Sequence, residues 1–163
     1  MLIPVRTVVV NKVQSLLSLV TVKNGYAFNV GASRVFLRDI IGPNTEVPAL
    51  FVVQRTESAS MLSIQRSTRR VLSIQVGFLA AYNGPDPDER AVQFMADIQR
   101  AIGYAHEIEV ATKEDPNTSV FLPIAIEEAG SAINVAEPIQ GRVYGQVDYM
   151  IRYHTSHLDP RYI

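Results

Sequence analysis

The chain has 163 residues, of which 47% are hydrophobic and 19% charged, the size and make-up of one globular domain that buries about two thirds of its unfolded surface. Cysteine is absent, which excludes disulfides, thiolate metal sites and cysteine nucleophiles. The net charge of −1 hides a polarity: residues 1–82 hold nine Lys or Arg against three acids, a net +6, and residues 83–163 hold six against thirteen, a net −7, which either marks a partner surface or cancels as the halves intermix in space.

Arg6 and Lys12 interrupt the apolar residues of the amino terminus, so neither a signal peptide nor a membrane span is expected. Val9, Val13, Leu16, Leu17 and Val20 follow the spacing of one helix face, and Pro4 suits a first helical turn. The run Val8-Val9-Val10 argues for strand, but the longer pattern predicts a helix over 4–21. Asn24-Gly25 reads as its stop signal, and Tyr26, Phe28 and Val30 as one face of a following strand. A phosphate-cradling loop needs the reverse order, strand before glycine and helix after it.

The stretches 48–56 and 71–82 are rich in β-branched and aromatic residues and predict two strands. Between them lies a polar stretch, "ESASMLSIQRSTRR", which reads as a hairpin arm over about 57–70 that projects from the sheet. A second helix is expected over 87–102, with Asp86 as N-cap, Pro87 at the first position, Glu89 three residues after the cap and Gly103 at the end. Its apolar stripe is Ala91, Phe94, Met95, Ile98, Ala101 and Ile102. Further on, 120–138 predicts two strands about Ala129-Gly130-Ser131, with Pro123 at an edge or a bulge. The stretch 141–155 predicts a long strand with one polar face, and a tail follows over about 155–163. The whole chain, 1–163, reads as one α+β domain: an antiparallel-rich sheet with two helices packed on one face.

Few residues suggest chemistry. His154, His157 and Asp159 end a strand and enter a tail, without the spacing of a zinc site. No serine sits in a nucleophile elbow. Glu127 and Glu128 point to opposite faces of a strand and do not converge on one substrate. Catalytic residues, metal ligands and cofactors are therefore none, and no enzyme is expected. Arg66, Arg69 and Arg70 crowd one end of the arm without an acid among them. They suit phosphates, a solvated loop tip, or the acids of a neighbouring subunit, and the last ranks ahead of DNA because no aromatics interleave to stack bases.

The order of these pieces, a helix running to "TVKNGYAFNVG", then "PALFVV", a long strand, a helix and a close on "DYMIRYHTSHLDP", resembles the tail terminator (tail completion) proteins of tailed bacteriophages over about residues 4–160. The resemblance implies a structural virion protein, assembled in the host cytoplasm, that forms a hexameric homo-oligomeric ring. That ring caps the tail tube, ends tube polymerisation and offers a docking surface to the neck or head connector. Its implied partners are further copies of itself, the tail tube protein, the neck protein, the sheath protein where the tail is contractile, and genomic DNA passing through the lumen without sequence specificity. It also gives the arm a role in reaching a neighbour, and makes Arg55, Arg66, Arg69 and Arg70 the candidates for the subunit interface or DNA channel. The alternatives are a neck, head-completion or tube protein of the same virion, and a small DNA-binding accessory protein.

Overall fold

The computed structural model describes residues 3–37, 44–62, 67–82, 86–111, 118–134 and 141–156. Its elements in chain order are helix α1 (Val5–Leu17), strands β1 (Val35–Phe36), β2 (Ala49–Leu62) and β3 (Ser67–Ala81), helix α2 (Pro87–Ile102), and strands β4 (Glu107–Ala111), β5 (Ser119–Pro123), β6 (Ala125–Asn134) and β7 (Arg142–Ser156). The main sheet has the order β1-β2-β3-β7-β6, and β4 and β5 form a separate ladder. Every pairing is antiparallel except β1 with β2. The fold is α+β, as the sequence predicts.

One face of the sheet carries the core. Leu72, Ile74, Val76, Phe78 and Ala80 alternate along β3, and Val143, Val147, Tyr149, Ile151 and Tyr153 alternate along β7; all are buried. They join Val5, Val9, Val13 and Leu17 of α1 and Ala91, Phe94, Ile98 and Ala101 of α2 in one cluster. Apolar area leaving water at about 25 cal/mol per Å² makes this layer the main stabilising term. At its centre the Phe94 ring stacks on Phe28 at 4.1 Å and meets Phe78 at 4.9 Å. Phe78 in turn covers Gly145, where an added Cβ would fall 2.5 Å from the ring.

Helix α2 starts as expected, with the Asp86 carboxylate accepting the Glu89 backbone N–H at 3.1 Å and Pro87 at the first position. Helix α1 ends earlier than expected, at Leu17, where Ser18 turns its backbone N–H and its hydroxyl back to the Gln14 carbonyl. Asn24-Gly25 therefore does not stop that helix. It closes a separate 3₁₀ turn, Val22–Asn24, with Gly25 at φ 80°, a conformation glycine adopts without a Cβ clash. Tyr26, Phe28 and Val30 are buried and alternate with exposed Ala27 and Asn29, but they form no strand; their anchorage is described below.

Three further differences have physical causes. The break in 119–134 falls at Ile124, after Pro123 ends β5, and not at Ala129-Gly130-Ser131, which β6 absorbs as a register shift between Glu128 and Gly130. Strand β1 has two residues, too few to show a pattern, and β4 is short, although buried Ile108 and Val110 alternate there with exposed Glu107 and Glu109, a strand signal that sequence reasoning missed. Finally, the stretch expected as an arm is no isolated hairpin. β7 follows β3 from Ala81 opposite Arg142 to Ser67 opposite Ser156, so three strands reach its end together.

Candidate assembly surface

Among the described residues the second face of the sheet carries no helix, and its side chains make a polar band. Strand alternation places Arg55 of β2, Ser73 and Gln75 of β3, and Gln146, Asp148, Met150 and Arg152 of β7 on this face. The Arg55 guanidinium donates to Gln75 Oε1, Gln75 Nε2 donates to Asp148 Oδ1 at 3.1 Å, and Gln146 Nε2 donates to Asp148 Oδ2 at 3.3 Å. The ladder crosses three strands, and Arg152 pairs with Glu127 on β6 beside it. At one end the band gives way to a small apolar cluster of Ala49, Phe51 and Leu79, against which Phe36 and Tyr144 pack. Such a face is wettable and hydrogen-bonded across strands, its charges held mainly by amide side chains with the Arg152–Glu127 ion pair beside them, which suits a polar wall or interface better than proton transfer.

The sequence-predicted arginines separate. Arg55 is exposed and belongs to the polar band. Arg69 is exposed on the same face, opposite His154 in register, and has no hydrogen bond or ion pair with the described residues. Arg70, one residue on, points to the helix side. There its Nε donates to Thr155 Oγ1 at 2.9 Å and its Nη1 to Glu57 at 3.0 Å. The Tyr153 hydroxyl donates to the same carboxylate, and burial, reinforced by that hydrogen bond, raises the phenol above its ordinary value. Arg70 is thus committed within its own subunit. Arg66, His157 and Asp159 lie outside the described residues, and His154 is exposed on β7.

Sequence reasoning missed two polar groups. Asp97 lies in the apolar stripe of α2, only 8% exposed, and its Oδ2 accepts the backbone N–H groups of Ala27 and Phe28 at 2.8 and 3.0 Å. Arg90 sits over the Phe28 ring and Arg100 over Tyr26, and Arg100 also donates to the Gly25 carbonyl at 2.9 Å. Burial raises the Asp97 carboxyl above its ordinary value, against the two amides and both arginines. An acid three residues from Phe94 on an otherwise apolar stripe was the available signal.

The second is Tyr149, whose buried hydroxyl has no partner among the described residues. It lines a hollow of about 390 Å³ between the end of α2 and β6, together with Gln99, Ile102, His106, Ile124 and Glu128. Gln99 Nε2 spans the two Glu128 oxygens at 2.9 and 3.1 Å. Glu127 and Glu128 face opposite sides, as strand alternation requires. Among the described residues no group of His, Asp or Glu could hold a metal ion, and no helix is long and apolar enough to cross a membrane.

No known family and no curated protein matches this chain. Among solved structures, a chain from the virion of a native gene transfer agent particle is similar over 93% of this chain and 95% of its own length, with a TM-score of 0.48 and 11% sequence identity. Similarity of that size assigns neither family nor activity.

Proposed function

We propose that this chain is a non-enzymatic structural virion protein, a tail terminator subunit. Six copies close into a ring on the finished tail tube, end its growth and present a surface to the neck or head connector. The observation that carries the reading is the sheet face without helices, where Arg55, Gln75, Asp148 and Gln146 are hydrogen-bonded into one band. The opposite face is packed under two helices, so this band is the sheet face left open among the described residues. It also meets the needs of a channel wall: DNA must pass without being held, and acids interspersed with arginines avoid the counterion-driven grip of a purely basic surface. The order of sequence motifs described above supports the same reading.

On this reading the partners are further copies of the chain, the tube protein and the neck protein, with the sheath protein added in a contractile particle. Genomic DNA crosses the lumen without sequence readout. The DNA-binding accessory reading loses its main support once Arg69 and Arg70 face opposite sides and Arg70 is paired.

Light scattering over a concentration series, alone and with tail tubes, tests the proposal. The expected mass is six times the 18.1 kDa subunit, either free or only on tubes, together with tubes that no longer elongate. A protein that stays monomeric and ignores tubes would overturn it. Co-purification with empty heads in place of tubes would favour a neck or head-completion protein instead.

A further inference from the structure

Among the described residues the main sheet has two long open edges. β6 is its last strand, and Glu127 through Ala132 are exposed. At the other side β1 covers β2 only at Leu50 and Phe51, which leaves β2 without a described partner on its outer edge from Val53 to Leu62. An open edge is a row of unpaired backbone donors and acceptors, a template for another strand. We infer that the two edges pair with each other between neighbouring copies: residues 125–130 of β6 in one subunit add antiparallel to residues 53–58 on the outer edge of β2 in the next, short of the part that β1 covers, with Glu127 beside Arg55. This deepens the ring reading and rests on it.

Direction is the first argument. β2, β3, β7 and β6 are four consecutive antiparallel neighbours, so β6 runs opposite to β2. Rotation about an axis along the strands leaves strand direction unchanged. A rotated copy that brings its β2 against β6 therefore makes an antiparallel pair, whose ladder bonds run perpendicular to the strands and which is slightly more stable per residue than a parallel one. Both helix layers then stay on one side and both polar bands on the other. Two different edges meet at each junction, which is the heterologous contact that closes a ring.

Register is the second. Glu127 lies opposite Met150 of β7, Met150 opposite Ser73 of β3, and Ser73 faces the register shift in β2 between Gln54 and Glu57, where Arg55 sits. Glu127 and Arg55 are thus at one height. Both turn to the polar face, since Glu127 pairs with Arg152 there and Arg55 with Gln75. One step around the ring brings an acid to an arginine whose partner among the described residues of its own subunit is the Gln75 amide.

Charge is the third. The strands on one side of the sheet, β1, β2 and β3, come from the +6 half of the sequence, and those on the other, β7 and β6, from the −7 half. The edge strands themselves differ less than the halves do: β2 carries Arg55 and Glu57, and β6 carries Glu127 and Glu128 without a cation, so the charge match at each junction is the local one of Glu127 with Arg55.

The cysteine-free chain allows a clean test. Ser58 and Ala125 occupy one row through Val71 and Arg152, and both are exposed. Within one subunit they are three strand spacings apart, roughly 14 Å, too far for a disulfide, which needs Cα atoms within about 7 Å. Any disulfide in the Ser58→Cys/Ala125→Cys variant therefore joins two chains. Under mild oxidation, in whichever state scatters as an oligomer, this pair or the two-residue offset Ser60→Cys/Ala125→Cys should give a ladder extending beyond dimer on a non-reducing gel. Each single variant should stop at dimer, and Ala59→Cys/Ala125→Cys, with its cysteines on opposite faces, should give no such ladder. An oligomer that gives no ladder with either pair overturns the edge pairing and leaves the ring standing. A protein that is monomeric with and without tubes overturns both.

Discussion

The carboxylate of Asp97 accepts the backbone N–H of Phe28 at 3.0 Å. Through this bond and its twin to Ala27 at 2.8 Å, α2 holds a non-ladder segment in extended form and seats the Phe28 ring on Phe94. Asp97→Ala strips the acceptor from two backbone donors. It should cost about 2–4 kcal/mol in a urea melt, as unsatisfied buried donors do. Asp97→Asn keeps an acceptor oxygen and should cost under about 1 kcal/mol. Equal losses in the two variants would show that the amide bonds are not what matters.

The same carboxyl sets a pH dependence. Burial raises it above its ordinary 3.8, so the folded state holds this proton to a higher pH than the unfolded chain does. The contribution to stability is whole below pH 3.8 and is lost as pH rises through the folded value. Melts of wild type and Asp97→Asn from pH 3 to 7 should show wild type losing ground to the variant with rising pH. A wild type that gains ground would mean that the two amides outweigh burial.

Gly145 leaves room for the Phe78 ring on the neighbouring strand. A Cβ there would meet Phe78 at 2.5 Å and the Ala132 carbonyl oxygen at 3.0 Å. Gly145→Ala should therefore destabilise by about 1–3 kcal/mol through overpacking. Gly130, with open space at its Cβ position, is the control, and Gly130→Ala should change the thermal midpoint far less.

Arg69 and Arg70 should behave as opposites. Arg70 and Glu57 form a partly buried pair, with side chains 21% and 15% exposed. Arg70→Met strands Glu57 and should cost about 1–3 kcal/mol, reduced from a fully buried pair by that exposure. Arg69→Ala should stay within about 0.5 kcal/mol of wild type. Denaturant midpoints for the two variants check this, and an Arg69 variant as unstable as the Arg70 variant would contradict the facing assigned by the strand register.

By itself the sequence determined the elements whose signal is local and periodic. The capping residues and stripe of α2, the alternation of β3 and β7, the α+β class and the opposite facing of Glu127 and Glu128 all follow from side-chain spacing along one segment. The same logic separates Arg69 from Arg70 once both are placed in one strand, although their closeness in sequence suggested a cluster. Tertiary structure alone decided what depends on partners far along the chain. It ended α1 at Leu17, placed the extended segment after Gly25 on Asp97 some 70 residues away, and drew β7 along the expected arm. It also joined Arg55, Gln75 and Asp148 across three strands and set the two charge halves side by side. Local periodicity fixes which way a residue faces, but ladder hydrogen bonds and buried polar contacts choose their partners only when the sheet assembles, and no window of sequence contains both ends of such a bond.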